Sequence, residues 1–161
     1  MAKYIIVFLI FIISSCEINS EQIIKPEKLN INEIKFNAVS KKLIFENFDE
    51  STDVVNMKKI IKYWYDNKIK TDGFEGSLDV IINNLNLTKV KEKDYFKFSL
   101  DLEIIFIEKN ENLNKTKTYN LNTSEFGEIS GSFSIKDQEN LVLNIMHKSL
   151  NSINQKLIDI N

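Results

Sequence analysis

The stretch Phe96-Lys-Phe-Ser-Leu-Asp-Leu-Glu-Ile-Ile-Phe106 decides how the chain folds. Phe96, Phe98, Leu100, Leu102, Ile104 and Phe106 share one parity, while Lys97, Ser99, Asp101 and Glu103 occupy the other. Successive side chains of a strand point to opposite faces, so this is an antiparallel strand with one buried and one wet face. A one-sided sheet needs a second layer to cover it. The final segment supplies that layer: Leu143, Met146, Leu150, Ile153, Leu157 and Ile160 step by three and four, predicting an amphipathic helix from about Asp137 to Ile158.

Working outward, Glu108 to Asn112 is a polar hairpin loop, and Lys115 to Thr123 is a returning strand rich in threonine. Ser124 to Ile135, with Gly127 and Gly131 among serines, is expected to be a loop or frayed strand. Upstream, Ser77 to Val90 reads as a strand whose apolar parity changes between Val80/Ile82 and Leu85/Leu87, which predicts a bulge or break at Asn83-Asn84. The cluster Asp49-Glu50-Ser51-Thr52-Asp53 offers capping oxygens to a helix carrying Val54, Met57, Ile61, Trp64 and Ile69. That helix is expected to end before Gly73, with Lys68 and Lys70 in its last turn. The segments LNINEIKF and KKLIFENF suggest an opening strand and a second one, interrupted at Ser40-Lys41-Lys42. The sum is an α+β two-layer sandwich, β-α-β-β-β-α, with two helices on one face of an antiparallel or mixed sheet.

Chemistry-bearing residues are sparse. His147 is the one histidine, Cys16 the one cysteine, and there is no arginine. No HExxH, CxxC, phosphate-loop or EF-hand spacing occurs, so no metal and no cofactor is expected. Gly127-Glu-Ile-Ser130-Gly131 places its serine one residue late for a nucleophile elbow. Asp79, Asp101 and Glu103 alternate with apolar residues and read as part of a solvent face. Of Tyr63-Trp64-Tyr65, Trp64 fits the apolar stripe; Tyr63 and Tyr65 are the candidates for partner contact, since helical neighbours lie about 100° apart. The 161 residues carry a formal charge of −2, with no basic stripe for nucleic acid.

The N-terminus carries the clearest signal. Lys3 precedes an uninterrupted apolar run from Tyr4 to Ile13, followed by Ser14, Ser15 and Cys16. The run is too short to span a bilayer, which takes about 20 apolar residues, and has the order of a secretion signal. Ile13-Ser14-Ser15-Cys16 resembles the lipobox of bacterial lipoproteins. The resemblance implies cleavage between Ser15 and Cys16 and acylation of Cys16, which makes membrane lipid the first expected partner. It divides the chain into a signal peptide (1–15), a lipidated tether (16–28) containing the one proline, Pro26, and a single domain (29–161). Glu17, in place of the aspartate that retains enterobacterial lipoproteins in the inner membrane, implies the periplasmic face of the outer membrane. From KYWYDNKI through SLDVIINNLNL and DYFKFSLDLEIIFIE to the closing helix, the chain also resembles uncharacterised alphaproteobacterial lipoproteins. In element order it is similar to the lipoproteins that assist lipopolysaccharide assembly and lipid-transport ABC systems. The expectation is a non-enzymatic envelope lipoprotein that binds a protein partner or assists assembly or transport. An amphiphile- or glycan-binding module with a groove between helices and sheet is the alternative, and an envelope hydrolase the least supported reading.

Overall fold

The computed structural model describes residues 31–46, 52–110 and 112–160. The signal peptide, Cys16 and the whole of the tether lie outside them, as do Asp49, Glu50 and Ser51 of the expected helix cap. Among the described residues six strands and two helices follow in order: β1 (Ile34–Phe36), β2 (Ser40–Phe45), α1 (Thr52–Lys68), β3 (Ile69–Thr71), β4 (Ser77–Lys91), β5 (Tyr95–Asn110), β6 (Lys115–Ser130) and α2 (Ile135–Ile160). Four strands make a mixed sheet in the order β2-β4-β5-β6, and β1 pairs with β3 in a separate two-stranded parallel ribbon. The β2/β4 pair is parallel; β4/β5 and β5/β6 are antiparallel. The α+β class with two helices on one face is as expected. The parallel pair arises because α1 carries the chain from β2 to the adjacent β4, a crossover rather than a hairpin.

The core lies between the sheet and the helices. Phe98, Leu100, Leu102, Ile104 and Phe106 of β5 are buried, and so are Leu78, Val80, Ile82 and Leu85 of β4. From the helices Met57, Ile60, Ile61 and Trp64 meet Ile145, Met146, Leu150, Ile153 and Leu157 there. Trp64 is completely buried and stands edge-on to Phe106 at 6.4 Å, while Phe36 stacks on the same ring at 5.8 Å. The bulge falls where the parity change put it: Ile82 pairs with Ile104 and Asn84 with Glu103, leaving Asn83 as the extra residue. Asn83 then donates its side-chain amide to Glu103 Oε2 at 2.8 Å.

Four local expectations are corrected. Residues 124–130, expected as a loop or frayed strand, are regularly paired as the second half of β6, with Gly127 opposite Phe98. A Cβ on Gly127 would stand 2.6 Å from Leu141 Cδ1, so the glycine admits α2 close to the sheet instead of breaking the strand. Ser40-Lys41-Lys42 belongs to β2, and the interruption falls instead between β1 and β2 at residues 37–39. Ile69 and Lys70 leave the helix and form β3, because Ile69 is buried against β1, pairing with Ile34. Lys70 still reaches the helix end, donating to the Asp66 carbonyl at 3.4 Å. The last helix starts two residues earlier than expected. Ser134 caps it: Asp137 N–H donates to Ser134 Oγ at 3.2 Å, and Ser134 N–H donates back to Asp137 Oδ2 at 2.9 Å.

Candidate functional site

Register gathers three connections at one end of the sheet. Ser40 pairs with Ser77, Ser77 with Lys109, and Lys109 with Thr116, so the connections β1/β2 (37–39), β3/β4 (72–76) and β5/β6 (around 112–114) sit side by side. Hydrogen bonds tie them down. Val39 N–H donates to the Gly76 carbonyl at 3.2 Å, Gly73 N–H to the Ala38 carbonyl at 3.1 Å, and Asp72 N–H to the Phe36 carbonyl at 3.2 Å. Gly76 has φ +83° and its missing Cβ would collide with the Lys109 carbonyl oxygen, so only glycine lets this connection lie against β5. Leu113 N–H donates to Asn110 Oδ1 at 3.0 Å.

On this pinned base stand three large apolar side chains with almost nothing over them. Phe74 is 95% exposed, Val39 63% and Leu113 60%. Folding does not demand such exposure, and a cluster of it marks a contact surface. Val39, Phe74 and Asn112 border one shallow hollow, and Leu113 borders its neighbour with Asn37, Glu108, Lys115 and Lys117. The ion pairs below the tips are Lys109 to Asp79 at 2.7 Å and Lys117 to Glu108 at 3.9 Å.

The residues singled out from sequence go elsewhere. Tyr65 is 7% exposed, which leaves its ring little surface to offer a partner. The Lys41 ammonium lies 4.3 Å from that ring centre and donates to the carbonyls of Tyr65 (2.9 Å) and Ile69 (2.5 Å). A strand lysine thus caps the end of α1, where carbonyls lack helical partners. Burial lowers the Lys41 pKa, with Asp66 opposing and Lys70 adding to the fall. Burial raises the Tyr65 pKa, helped by Asp66 and Asp79. Tyr63 is half-buried against the core, and its carbonyl accepts from the Asn67 side chain at 2.8 Å. Cys16 and Ser15 lie outside the described residues.

His147 is carried by α2 on the helical side of the sheet, where burial lowers its pKa. Asp79, Asp101 and Glu103 alternate with the buried residues and so occupy the opposite face. The sheet therefore separates the imidazole from these carboxylates. Ser130, from the elbow-like pentad, ends β6 and is exposed. Among the described residues no three His, Cys, Asp or Glu side chains cluster to hold a metal.

No family model and no curated protein matches the chain. Solved structures with a similar course include a minor lipoprotein from Acinetobacter baumannii, at 12% identity and TM-score 0.38 over 74% of this chain and 89% of that one. Rare lipoprotein B from Shewanella oneidensis is similar at 10% identity and TM-score 0.40, over 75% and 95% of the respective chains. A hypothetical protein from Chlamydia trachomatis follows at 8% identity and TM-score 0.42, over 80% and 95%. At that identity and overlap they carry no activity or partner over to this chain. Among the described residues, no helix is long and apolar enough to cross a membrane.

The three-loop end was not legible in the sequence. Val39, Phe74 and Leu113 lie in three separate polar stretches, and strand pairing alone makes them neighbours.

Proposed function

We propose that this chain is a lipid-anchored envelope lipoprotein with no enzymatic activity, held by acylated Cys16 on the periplasmic face of the outer membrane. Its domain acts as a binding or assembly module. The observation that carries this reading is Ser14-Ser15-Cys16 directly after the ten apolar residues Tyr4 to Ile13. The thiol takes a diacylglyceryl group, cleavage before Cys16 frees its amine, and two or more acyl chains hold a protein durably where one does not. Glu17 favours export to the outer membrane. The geometry adds a surface suited to contact: the three-loop end offers apolar tips on a hydrogen-bonded base.

The test is acyl labelling and membrane fractionation of the full chain expressed in a Gram-negative host. The native chain is expected to take up labelled fatty acid and to sediment with outer membranes. Cys16→Ala is expected to lose the label and leave the membrane fraction. A native chain that carries no label, or a Cys16→Ala chain that still sediments with membranes, overturns the reading.

A further inference from the structure

We infer that the three-loop end docks on the lipid bilayer itself, with Phe74, Val39 and Leu113 entering the interfacial layer while the strands stand away from it. This deepens the lipoprotein reading and rests on it for the source of the membrane.

The molecule is polarised along its strands. One end carries Phe74, Val39 and Leu113 on adjacent connections; the other carries the charged, exposed β4/β5 turn Lys91-Glu92-Lys93-Asp94, with exposed Val90 and Ile135 near it. The 16 residues of β5 separate these ends by about 50 Å at the rise of an antiparallel strand. Of the other exposed apolar side chains, Val90 stands between Lys89 and Lys91 and Ile135 beside Lys136, both at the charged end. Phe126, the remaining exposed phenylalanine among the described residues, lies mid-strand on the sheet's open face with the Lys97 ammonium 4.7 Å from its ring centre. Loop tips held by hydrogen bonds lose little freedom on insertion, and an apolar ring entering lipid leaves water as it would in a core.

The chain before the domain keeps this end within reach of the bilayer that would hold the anchor, and that bilayer is the occupant we assign to it. From Cys16 to Ile31 there are 15 residue steps, a reach of about 50 Å when extended. The described chain begins at Ile31, and β1 then runs directly into the 37–39 connection, six residues further on. The anchor can therefore sit in the bilayer that the loops touch. Lys115 stands behind Leu113, at headgroup height in this orientation, where cations meet lipid phosphates, while Lys117 beside it is paired with Glu108. Glu75, exposed beside Phe74, opposes that attraction, so apolar insertion is the main driving force.

The experiment places a tryptophan at each of two positions in the otherwise native chain, Phe74→Trp and Phe126→Trp. Each is reconstituted in phosphatidylethanolamine/phosphatidylglycerol vesicles containing brominated lipid. The native Trp64 is buried in the core and gives a constant background. Trp emission from position 74 is expected to shift blue and to be quenched about fivefold more than that from position 126. Equal quenching at the two positions overturns the inference. So does a blue shift at position 74 that brominated lipid does not quench and that envelope extract induces, because it assigns the tips to a protein partner. Mass spectrometry of the same samples reports the acyl chains on Cys16. Absent acylation fails the anchor reading, and quenching of that unacylated chain by added vesicles still decides the docking.

Discussion

Three positions show how much a single residue decides. Lys41 sits on the helix-facing side of β2, where a sequence reading sees only an interruption of the strand, yet it satisfies one carbonyl in the last turn of α1 and one at the start of β3. Lys41→Met keeps the aliphatic stem and removes both bonds. It is expected to destabilise the fold by about 1–3 kcal/mol in urea unfolding, with the melting of α1 seen by circular dichroism. His147 has a buried Nε2 without a hydrogen-bond partner among the described residues, and burial holds its pKa below the ordinary value. On acidification the unfolded chain therefore binds this proton first, at about pH 6.5. Stability is intact above that pH and is lost as pH falls from there to the lowered folded value. His147→Gln is expected to flatten this part of the Tm against pH profile; an unchanged slope would remove His147 as its origin. Gly127 is the third. Gly127→Val makes the side-chain ends of Leu141 and Ile145 turn aside, at an expected cost of about 1 kcal/mol in the same unfolding assay.

At the scale of elements, strand parity explains both what was legible and what was not. The bulge at Asn83 follows from the parity of Leu85 and Leu87 because only an inserted residue returns both to the helices. Deleting Asn83 is accordingly expected to leave a regular ladder with the same faces, giving a folded protein by circular dichroism. Deleting Ser99 from β5, which has no bulge, reverses the facing of half that strand and is expected to prevent folding. β6 was half hidden because Gly127 and its serines carry the signature of a loop, whereas burial against α2 and pairing with Phe98 are long-range facts. Its free edge is long, and long edges invite pairing with other chains. The Lys156 ammonium donates to the Asn122 carbonyl on this strand at 2.6 Å. Lys156→Ala is expected to raise aggregation on concentration, as followed by light scattering.

The whole molecule is a one-sided sheet with a helical cover, and its two ends differ in kind. Phe74→Asp, at a side chain that packs on nothing, is expected to leave the melting temperature of the chain unchanged. A marked loss would mean that the ring supports the fold. By itself the sequence determined the sandwich, the buried face of β5, the bulge, the stripe of α2 and the buried Trp64. These depend on periods of two and 3.6 residues, which a chain displays locally. Tertiary structure alone decided the parallel β2/β4 pairing, the β1/β3 ribbon, the capping of α1 by Lys41 and the meeting of Val39, Phe74 and Leu113. Each joins residues 24 or more positions apart in sequence, and no local pattern records which distant strand will become a neighbour.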